Sequence, residues 1–594
     1  MTSHKFDNGK KLKGIAVSSG IIIGKARLVD RSRVKILYQY LVNDQQVNRQ
    51  VERFNAALSI TRSQLAILKD RMPEQVKEHA FILDSHLMIL EDSMFTDAVI
   101  KSILDEKINA EWAVKKSLEE IRQIFEQIDD EYIRNRIDDV VNVTERILRN
   151  LLGRDQETLA EISGRPIIVA HDLSPADIAE LNMTKIMGFV TDVGGRTSHT
   201  AIMAQALQIP VVVGLESATD LVDDGDILIV DGNTGEVIIN PDDTIVAYYQ
   251  KKQVQQKEYE TSIAVTSHLP AETLDGHIVA IHANIEFLEE IATATAHGCE
   301  AIGLYRTEIL YLRGKAFPGE EELFNNYRKA AEAIAPNSMT IRTLDLGADK
   351  VSWSHEITGE TNPALGLRAI RFCLKKPDLF NTQLRAILRA SAYGKIQLMF
   401  PMISGLQEIL NAKEILAVVK EDLDNRNIDY DHELRVGIMI EIPSAVSMAE
   451  ILAQHVDFFS IGTNDLIQYS LAIDRTNEHV AYMYEPFHPA ILRMIQHTVN
   501  SAKKAGISVA ICGEMAGDPM CIPILLGLGL NELSMNPSTI PLIKKIIRSL
   551  SLEEARADFD NVMKLNTAKE VRSFVLNRMK TLVPELKGKG YLDA

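Results

Sequence analysis

Side chains that could do chemistry recur in this sequence directly after short apolar runs, where buried β-strands would end. Two arginines, two carboxylates, one amide and one thiol share this placement. They are Arg306, Arg342, Glu441, Asp465, Asn464 and Cys512. In a barrel of parallel strands such positions share one rim, because all the strands present their carboxyl ends to the same side. The pattern therefore predicts that these side chains meet in one site.

The residue types at this rim suit a small phosphorylated anion. Arginine can grip phosphate or carboxylate oxygens with two parallel hydrogen bonds, and Arg475 in a nearby loop could act alongside Arg306 and Arg342. Glu441 and Asp465 could hold Mg²⁺, which prefers one or two carboxylates together with oxygens of the substrate. A single arginine or glutamate at a strand end is usually a structural ion pair. The convergence of several such residues favours a binding site.

A second candidate site is the segment 194–200, GGRTSHT, which precedes the amphipathic stretch AIMAQAL. The glycines permit a sharp turn, and His199 then lies near the N-terminus of a helix, where an anion is favoured. A histidine so placed can act as a nucleophile and carry a phosphoryl group, with Arg196, Thr197 and Ser198 bonding its oxygens. The alternative is a histidine that only caps the helix.

The elements that must position these residues are visible as hydrophobic patterns. From about residue 270 onward, eight apolar runs alternate with helical stretches, which predicts a (β/α)8 barrel, with an open doubly wound sheet as the alternative. The runs are Ile278–Ala283, Ala301–Tyr305, Met339–Leu344, Ile396–Phe400, Arg435–Ile440, Asp457–Ile461, Ser508–Ile511 and Glu532–Met535.

The first half of the chain reads as an α/β unit interrupted by helices. Strand-like composition occurs at 14–30 and returns from 166 to 240, whereas between about 44 and 156 apolar residues recur at helical spacing. This pattern predicts a helical bundle inserted into the α/β unit. The polar segment 244–265 then predicts a helical linker.

Composition limits the class of protein. The chain has 594 residues and a formal net charge of −18 at pH 7, which argues against broad binding to nucleic acid or anionic membranes. Its length predicts several domains. Four cysteines without a CxxC pair argue against a disulfide scaffold and a thiolate zinc site. Because neither a signal peptide nor a spanning apolar run is evident, we expect a cytosolic protein.

The ordered motifs of the chain resemble enzyme I of the bacterial phosphotransferase system, the phosphoenolpyruvate–protein phosphotransferase family. The resemblance covers essentially the whole chain. It rests on GIAVSSGIIIGKA, HLMILED, DDEYIRNRIDDV, GGRTSHTAIMAQ, GLYRTEILY, RTLDLGADK, NPALGLRAIR, GIMIEIPSA, GTNDLIQY, DRTNEH and CGEMAGD.

The resemblance implies a role for each candidate residue. It makes His199 the phosphorylated residue and Cys512 the proton donor that turns enolpyruvate into pyruvate. It further implies that phosphoenolpyruvate contacts three arginines and that the amide and the carboxylate of the GTND motif lie beside these contacts. It also implies that two carboxylates bind Mg²⁺. The substrate-binding residues are Arg306, Arg342, Asn464, Asp465 and Arg475, and the metal ligands are Glu441 and Asp465.

The resemblance also implies an α/β multidomain architecture and its partners. Residues 1–30 and 157–243 would form a swivelling phosphohistidine domain, 31–156 an inserted helical domain that binds the phosphocarrier HPr, 244–269 the helical linker, and 270–594 the (β/α)8 barrel that binds phosphoenolpyruvate and dimerises. The swivelling would use hinges near the linker and near 30–44 and 156–165. The implied function is the first general step of sugar uptake by a homodimeric enzyme.

Two other classes of protein share parts of this pattern. Pyruvate phosphate dikinase and phosphoenolpyruvate synthase carry a mobile histidine domain and a similar barrel, but they need an ATP-grasp domain. Fewer than 200 residues precede the histidine loop here, most of them read as helical bundle, and no GxxxxGK[ST] loop occurs. A degenerate relative that senses phosphoenolpyruvate without transferring its phosphoryl group would have lost some of the reactive residues, yet all of them are present.

Overall fold

The computed structural model describes residues 10–18, 20–29, 38–71, 80–126, 137–153, 164–173, 177, 185–194, 209–312, 317–347, 362–474 and 480–586. The chain divides into two compact units, Met1–Lys257 and Glu258–Ala594. Each unit is described by itself below.

The first unit contains an eight-stranded mixed sheet. Its strands are β1 (Lys10–Lys13), β2 (Ile15–Ser18), β3 (Ile21–Val29), β4 (Ile167–Ala170), β5 (Gly188–Thr191), β6 (Val211–Val213), β7 (Ile227–Asp231) and β8 (Glu236–Ile239). The spatial order is β1-β8-β7-β3-β4-β5-β6-β2, in which β3, β4, β5 and β6 are parallel to one another. The parallel strands place their carboxyl ends at one edge, next to the start of the histidine loop.

Five described helices lie between β3 and β4 in the sequence, as the helical periodicity predicts. They are α1 (Asp44–Arg71), α2 (Ala80–Glu91), α3 (Ser93–Glu106), α4 (Ala110–Glu126) and α5 (Ile137–Leu151). The apolar faces of these helices bury residues such as Phe54, Val99, Val114 and Ile147, which are all fully buried. One continuous apolar cluster joins these side chains to one face of the sheet.

The remaining helices of this unit are a short one, α6 (Ala218–Leu221), and the beginning of α7 (Asp243–Thr266). The predicted linker helix is therefore present. Its first half is fixed to the sheet by an ion pair between Lys252 and Asp231, whose Nζ and Oδ2 atoms are 2.7 Å apart, and by the buried Tyr249. Its last part belongs to the second unit, where the ammonium group of Lys545 lies 4.1 Å from the ring centre of Tyr259.

The second unit is a closed barrel of eight parallel strands. After the two-residue β9 (Ala271–Glu272), the barrel strands are β10 (Ile278–Ile285), β11 (Ala301–Tyr305), β12 (Ser338–Arg342), β13 (Lys395–Phe400), β14 (Arg435–Ile440), β15 (Phe458–Ile461), β16 (Ser508–Ile511) and β17 (Glu532–Met535). The first strand closes the barrel because β10 pairs with both β11 and β17, in a register that places Ala280 beside Glu532. This closure excludes the open sheet.

Helices cover the outside of the barrel. They are α8 (Glu290–Ala296), α9 (Glu308–Leu312), α10 (Glu320–Ile334), α11 (Ile370–Lys375), α12 (Pro377–Ser391), α13 (Leu406–Asn425), α14 (Pro443–Ser447), α15 (Ala449–Leu452), α16 (Thr463–Leu471), α17 (Pro489–Ala505), α18 (Ile522–Gly527), α19 (Ile540–Ile547), α20 (Leu552–Val562) and α21 (Ala568–Leu582). Alternate strand residues such as Ile281, Ile341, Leu398 and Ile438 face these helices and form the main core. Among the described helices of both units, none is long and apolar enough to cross a membrane.

The structure differs from the sequence-based elements at a few short strands. Strand β1 has the sequence KKLK and β5 has the sequence GFVT, and neither was expected from the apolar pattern. Lysines dominate β1, and β5 offers only four residues.

Candidate functional site

The carboxyl rim of the barrel collects the side chains that the sequence places after strands. Arg306 follows β11, Arg342 is the last residue of β12, and Glu441 follows β14. The others follow β15 and β16: Asn464 and Asp465 in the first turn of α16, and Cys512 directly after β16. Arg475, His199 and the loop residues Arg196, Thr197 and Ser198 lie outside the described residues.

Arg342 is a buried guanidinium whose Nε makes no hydrogen bond within the described residues. Its Nη2 lies 3.0 Å from Glu308 Oε1 and its Nη1 lies 3.0 Å from Asp345 Oδ2. The Nε atom is buried and has no hydrogen-bond partner among the described residues. Burial by itself lowers the pKa of Arg342, but the neighbouring carboxylates, Glu441 included, outweigh it and raise the pKa, so the side chain remains a cation. A buried cation with an unused donor is prepared for an anionic ligand.

Arg368 is a second guanidinium at this rim, and it is partly buried. Its Nε donates to Asp345 Oδ1 over 3.0 Å, its Nη2 lies 3.3 Å from Asp465 Oδ2, and its Nη1 donates to the hydroxyl of Tyr469 over 3.1 Å. The next residue, Ala369, has a φ of 54°, which is costly for a residue with a Cβ. The strained backbone thus directs Arg368 between two carboxylates of different loops.

Arg306 is more exposed, and it forms an ion pair with a carboxylate. Its Nη1 lies 2.5 Å from Glu286 Oε1, and the two side chains are 37% and 43% exposed. Glu286 is the first residue after β10. The guanidinium of Arg306 is therefore held at the mouth of the site by a neighbouring strand end.

Glu441 and Asp465 form the acidic part of the site. Glu441 is 1% exposed and accepts a hydrogen bond of 2.6 Å from the N–H of Met402, a residue with a φ of 57°. Burial and the charges of Asp465 and Asp345 raise the pKa of Glu441 to about 8, although Arg342 and Arg368 oppose the shift. A Cβ at Gly462 would lie 2.8 Å from Glu441 Oε2, so glycine is needed beside this carboxylate.

These carboxylates fit a divalent cation. Burial and the negative charge around Glu441 disfavour its ionised form, and a bound cation would offset that negative charge. No group of three or more His, Cys, Asp and Glu side chains in the described residues could hold a metal ion by itself. Two carboxylates suffice for Mg²⁺ where a substrate supplies further oxygens.

Cys512 lies at the floor of the site and is 3% exposed. Burial, together with the charge of Glu441, raises the pKa of its thiol to about 11, although the Ser460 hydroxyl and the arginines oppose the shift. The thiol therefore keeps its proton at neutral pH. Next to it, the N–H of Glu514 donates to Asn464 Oδ1 over 2.8 Å, which joins the loop after β16 to the loop after β15.

Comparisons with known proteins match most of the length of the chain. Three family models match in order: PEP-utilising enzyme, N-terminal, at residues 13–136; PEP-utilising enzyme, mobile domain, at residues 162–235; and PEP-utilising enzyme, PEP-binding domain, at residues 260–552. A phosphoenolpyruvate-protein phosphotransferase of Bacillus sp. (strain S) is 43% identical over 567 residues, covering 95% of this chain and 98% of that protein. The chain belongs to the phosphoenolpyruvate–protein phosphotransferase family.

A second relative is similar over nearly the whole chain, and one solved structure is similar over part of it. The Bacillus subtilis (strain 168) protein of that name is 41% identical over 572 residues, covering 96% of this chain and all of that protein. An NMR solution structure of Enzyme I (nEIt) is 38% identical and covers 41% of this chain and 99% of that chain, with a TM-score of 0.36. The predicted family, fold class and phosphotransferase enzyme class are confirmed.

In this phosphotransferase-family chain, Arg368 and Glu286 lie at the rim although neither was expected there, whereas Glu308 belongs to the strand-end segment 305–308. Arg368 follows no strand, because it lies in the loop before α11, although it belongs to the quoted motif NPALGLRAIR. Glu308 and Glu286 do follow strands β11 and β10. Their position directly after strands therefore predicts that both glutamates lie at the rim. It does not distinguish a residue that binds a ligand from the ion-pair partner of such a residue.

Proposed function

We propose that this chain transfers the phosphoryl group of phosphoenolpyruvate to its own His199 and then to a histidine of the phosphocarrier HPr, releasing pyruvate. The observation that carries the proposal is the buried cation Arg342, whose unused donor shares one rim with an acidic pair and a protonated thiol. Membership of the family supports the same substrate. HPr, sugar uptake and a cytoplasmic homodimer are the parts of the proposal that rest on the family alone.

Binding of phosphoenolpyruvate is assigned to the arginines. The buried Nε of Arg342, which has no partner among the described residues, would bind the substrate from inside the barrel. The more exposed guanidinium of Arg306 would bind it from the solvent side. Asn464 and Arg475 complete the proposed substrate contacts. Charge-assisted hydrogen bonds of this kind fix the position of a phosphate and stabilise charge on its oxygens during transfer.

Mg²⁺ is assigned to Glu441 and Asp465. The buried Glu441 beside the partly buried Asp465 supports this assignment, because the negative charges of Asp465 and Asp345 act on Glu441 and a cation would offset them. A bound Mg²⁺ would neutralise charge on the phosphoryl oxygens. The protein's own contribution is to hold the two carboxylates in place, through the Met402 N–H for Glu441 and through Arg368 for Asp465.

The proton that completes pyruvate is assigned to Cys512. When the phosphorus–oxygen bond breaks and a phosphorus–nitrogen bond forms at His199, the substrate is left as enolpyruvate. Its methylene carbon takes the proton from Cys512 Sγ, and the thiolate regains a proton from solvent. The raised pKa supports this role, because a thiol that stays protonated can act as an acid.

The route of the phosphoryl group sets the proposed domain roles. In the proposal, residues 1–30 and 157–243 form the domain that carries His199, and residues 31–156 form the domain that binds HPr. Residues 244–269 connect these domains to residues 270–594, which bind phosphoenolpyruvate and form the dimer. Because donor and acceptor sites belong to different units of the chain, the histidine domain must reach the barrel and then leave it. The family matches at 13–136, 162–235 and 260–552 support a division near these boundaries.

The variant His199→Ala tests the proposal. We expect it to incorporate no label from [³²P]phosphoenolpyruvate with Mg²⁺ and to pass none to added HPr, because its acceptor nitrogen is gone. Phosphoenolpyruvate should still bind, because the barrel rim is unchanged; isothermal titration measures this. The matched control is His171→Ala, another histidine of the same domain, which should label normally.

Stable label on the His199→Ala chain would contradict the assignment of the acceptor. Label that appears with ATP but not with phosphoenolpyruvate would favour the dikinase class.

A further inference from the structure

The carboxylate of Glu286 pairs with the guanidinium of Arg306, the group proposed above to bind the phosphate of the substrate. Glu286 Oε1 lies 2.5 Å from Arg306 Nη1, within the range of a strong charge-assisted hydrogen bond. Unlike Asp345 and Glu308, which are nearly buried, Glu286 is 43% exposed. Its carboxylate can therefore swing into solvent once an anion takes its place, whereas the buried carboxylates cannot.

The backbone around Glu286 is fixed, so the pairing is built into the fold. The side chain of Glu290 accepts hydrogen bonds from the N–H groups of Glu286 and Phe287, over 2.7 and 3.0 Å. The N–H of Arg306 donates to the carbonyl of Ile285 over 2.9 Å. The two strand ends thus present Glu286 and Arg306 to each other, and only their side chains are free to move.

We propose that Glu286 is an internal competitor of the substrate, which occupies the guanidinium of Arg306 until the phosphate of phosphoenolpyruvate displaces it. The inference rests on the proposed function, because it needs Arg306 to bind that phosphate. Every anion that uses Arg306 must first displace one carboxylate. Glu286 therefore sets the affinity for phosphoenolpyruvate and weakens the binding of simpler anions.

The strength of the pair suits such a role. A half-exposed ion pair contributes little net free energy, because water screens it and both side chains lose freedom. A multiply charged phosphate that also contacts the buried Arg342 outcompetes it, whereas a small anion that depends on Arg306 alone does not. Breaking the pair should therefore strengthen anion binding severalfold.

The test is isothermal titration of phosphoenolpyruvate, with Mg²⁺, into full-length chains that carry His199→Ala to prevent turnover. In this background Glu286→Gln should lower the dissociation constant three- to tenfold, because the amide cannot pair with a guanidinium as a carboxylate does. Inorganic phosphate, titrated in the same way, should bind more tightly by a similar factor. The matched control is Glu289→Gln, which removes one charge from the same turn at an exposed side chain and should change either constant less than twofold.

The sign of the change separates a competitor from a structural brace. If Glu286 only held Arg306 in position, Glu286→Gln would weaken binding, and either a weaker or an unchanged affinity overturns the inference. An equal gain in Glu289→Gln also overturns it, since the effect would be general electrostatics. In the Arg306→Ala background the gain from Glu286→Gln should vanish.

The same series tests the proposed function separately. Arg306→Ala should weaken phosphoenolpyruvate binding at least tenfold. If it does, and Glu286→Gln brings no gain, only the competitor inference fails. If Arg306→Ala binds phosphoenolpyruvate normally, the assignment of Arg306 as a substrate contact fails, and the inference fails with it.

Discussion

At the residue scale, Cys512 and Cys299 show how one residue type serves two purposes. Both thiols are buried, and burial raises the pKa of each to about 11. The difference lies in their neighbours: Cys512 has Glu441 and Arg342 nearby, whereas Cys299 has Lys544 and Glu300. A raised pKa alone therefore does not identify an acid, and the role proposed for Cys512 rests also on its position at the rim.

Cys512→Ala should separate binding from turnover. The arginines and the acidic pair remain, so phosphoenolpyruvate should bind nearly as well as to the unmodified chain. Steady-state transfer to HPr should fall by at least two orders of magnitude, the usual scale for loss of a positioned acid, about 10²–10⁴-fold. Pyruvate formed in deuterated water from a chiral methylene-labelled substrate should carry label on both faces.

The control for this prediction is Cys299→Ala, which removes a buried thiol away from the rim. Normal turnover in Cys512→Ala, with one face still labelled selectively, would show that another residue donates the proton. Cys512 would then be a packing residue.

At this scale, the position of a residue directly after an apolar run was enough to predict that it lies at the rim, provided that the end of a strand fixes its backbone. Arg306, Arg342, Glu441 and Cys512 lie at the rim because a strand ends beside each of them. Arg368 could not be placed in this way, since its location depends on a loop whose path is set by tertiary contacts, including the hydrogen bond from Ala369 N–H to Leu346.

At the element scale, the loops after β15 and β16 are in direct contact at one glycine. A Cβ at Gly513 would lie 1.9 Å from Thr463 Oγ1 and 2.7 Å from the backbone nitrogen of Thr463. Gly513 has a φ of −79°, which any residue can adopt, so space and not backbone conformation requires glycine here. This contact keeps Cys512 and Asn464 together.

Gly513→Ala should impair transfer more than it impairs folding. The added methyl group must push the two loops apart, which would disturb the hydrogen bond from Glu514 to Asn464. Overpacking of this kind costs about 1–3 kcal/mol in the free energy of unfolding. We expect the circular dichroism spectrum to be retained, the midpoint of urea unfolding to fall, and transfer to HPr to drop more than tenfold.

Gly405→Ala is the comparison, because Gly405 also lies in a loop after a barrel strand, yet nothing lies within 4 Å of a Cβ there. It should lose no more than about 1 kcal/mol, since alanine is a poorer residue than glycine at the start of a helix. Equal loss of activity in both variants would mean that the contact at Gly513 is unimportant.

The elements most readily predicted were those with a continuous apolar run. All eight barrel strands are buried by helices outside and packed side chains inside, which requires such runs. Strand β1 escapes this rule because it pairs only with β8, at the edge of its sheet, and three of its four residues are exposed lysines.

At the scale of the whole molecule, the chain consists of two compact units. We expect a calorimetric scan of the His199→Ala chain to show two unfolding transitions. Phosphoenolpyruvate at about 100 times its dissociation constant, added with Mg²⁺ already present in the buffer, should stabilise only the unit that binds it, by about 2.7 kcal/mol. For a unit of this size the shift is about 3–5 °C.

Adding Glu441→Gln to that chain provides the control. It should reduce the Mg²⁺-dependent part of the shift, because a neutral amide is a poorer ligand for this cation. A shift confined to the transition of the first unit would contradict the assignment of the phosphoenolpyruvate site to the second unit.

Closure of the barrel also has a consequence for the order of folding during synthesis. Strand β10 leaves the ribosome first among the barrel strands, but its neighbour β17 is made last, as the pairing of Ala280 with Glu532 shows. Until then the residues Ala280–Ala283 lack that neighbour, and contacts so distant in sequence form slowly. The incomplete barrel therefore exposes apolar strand surface until β17 has been translated.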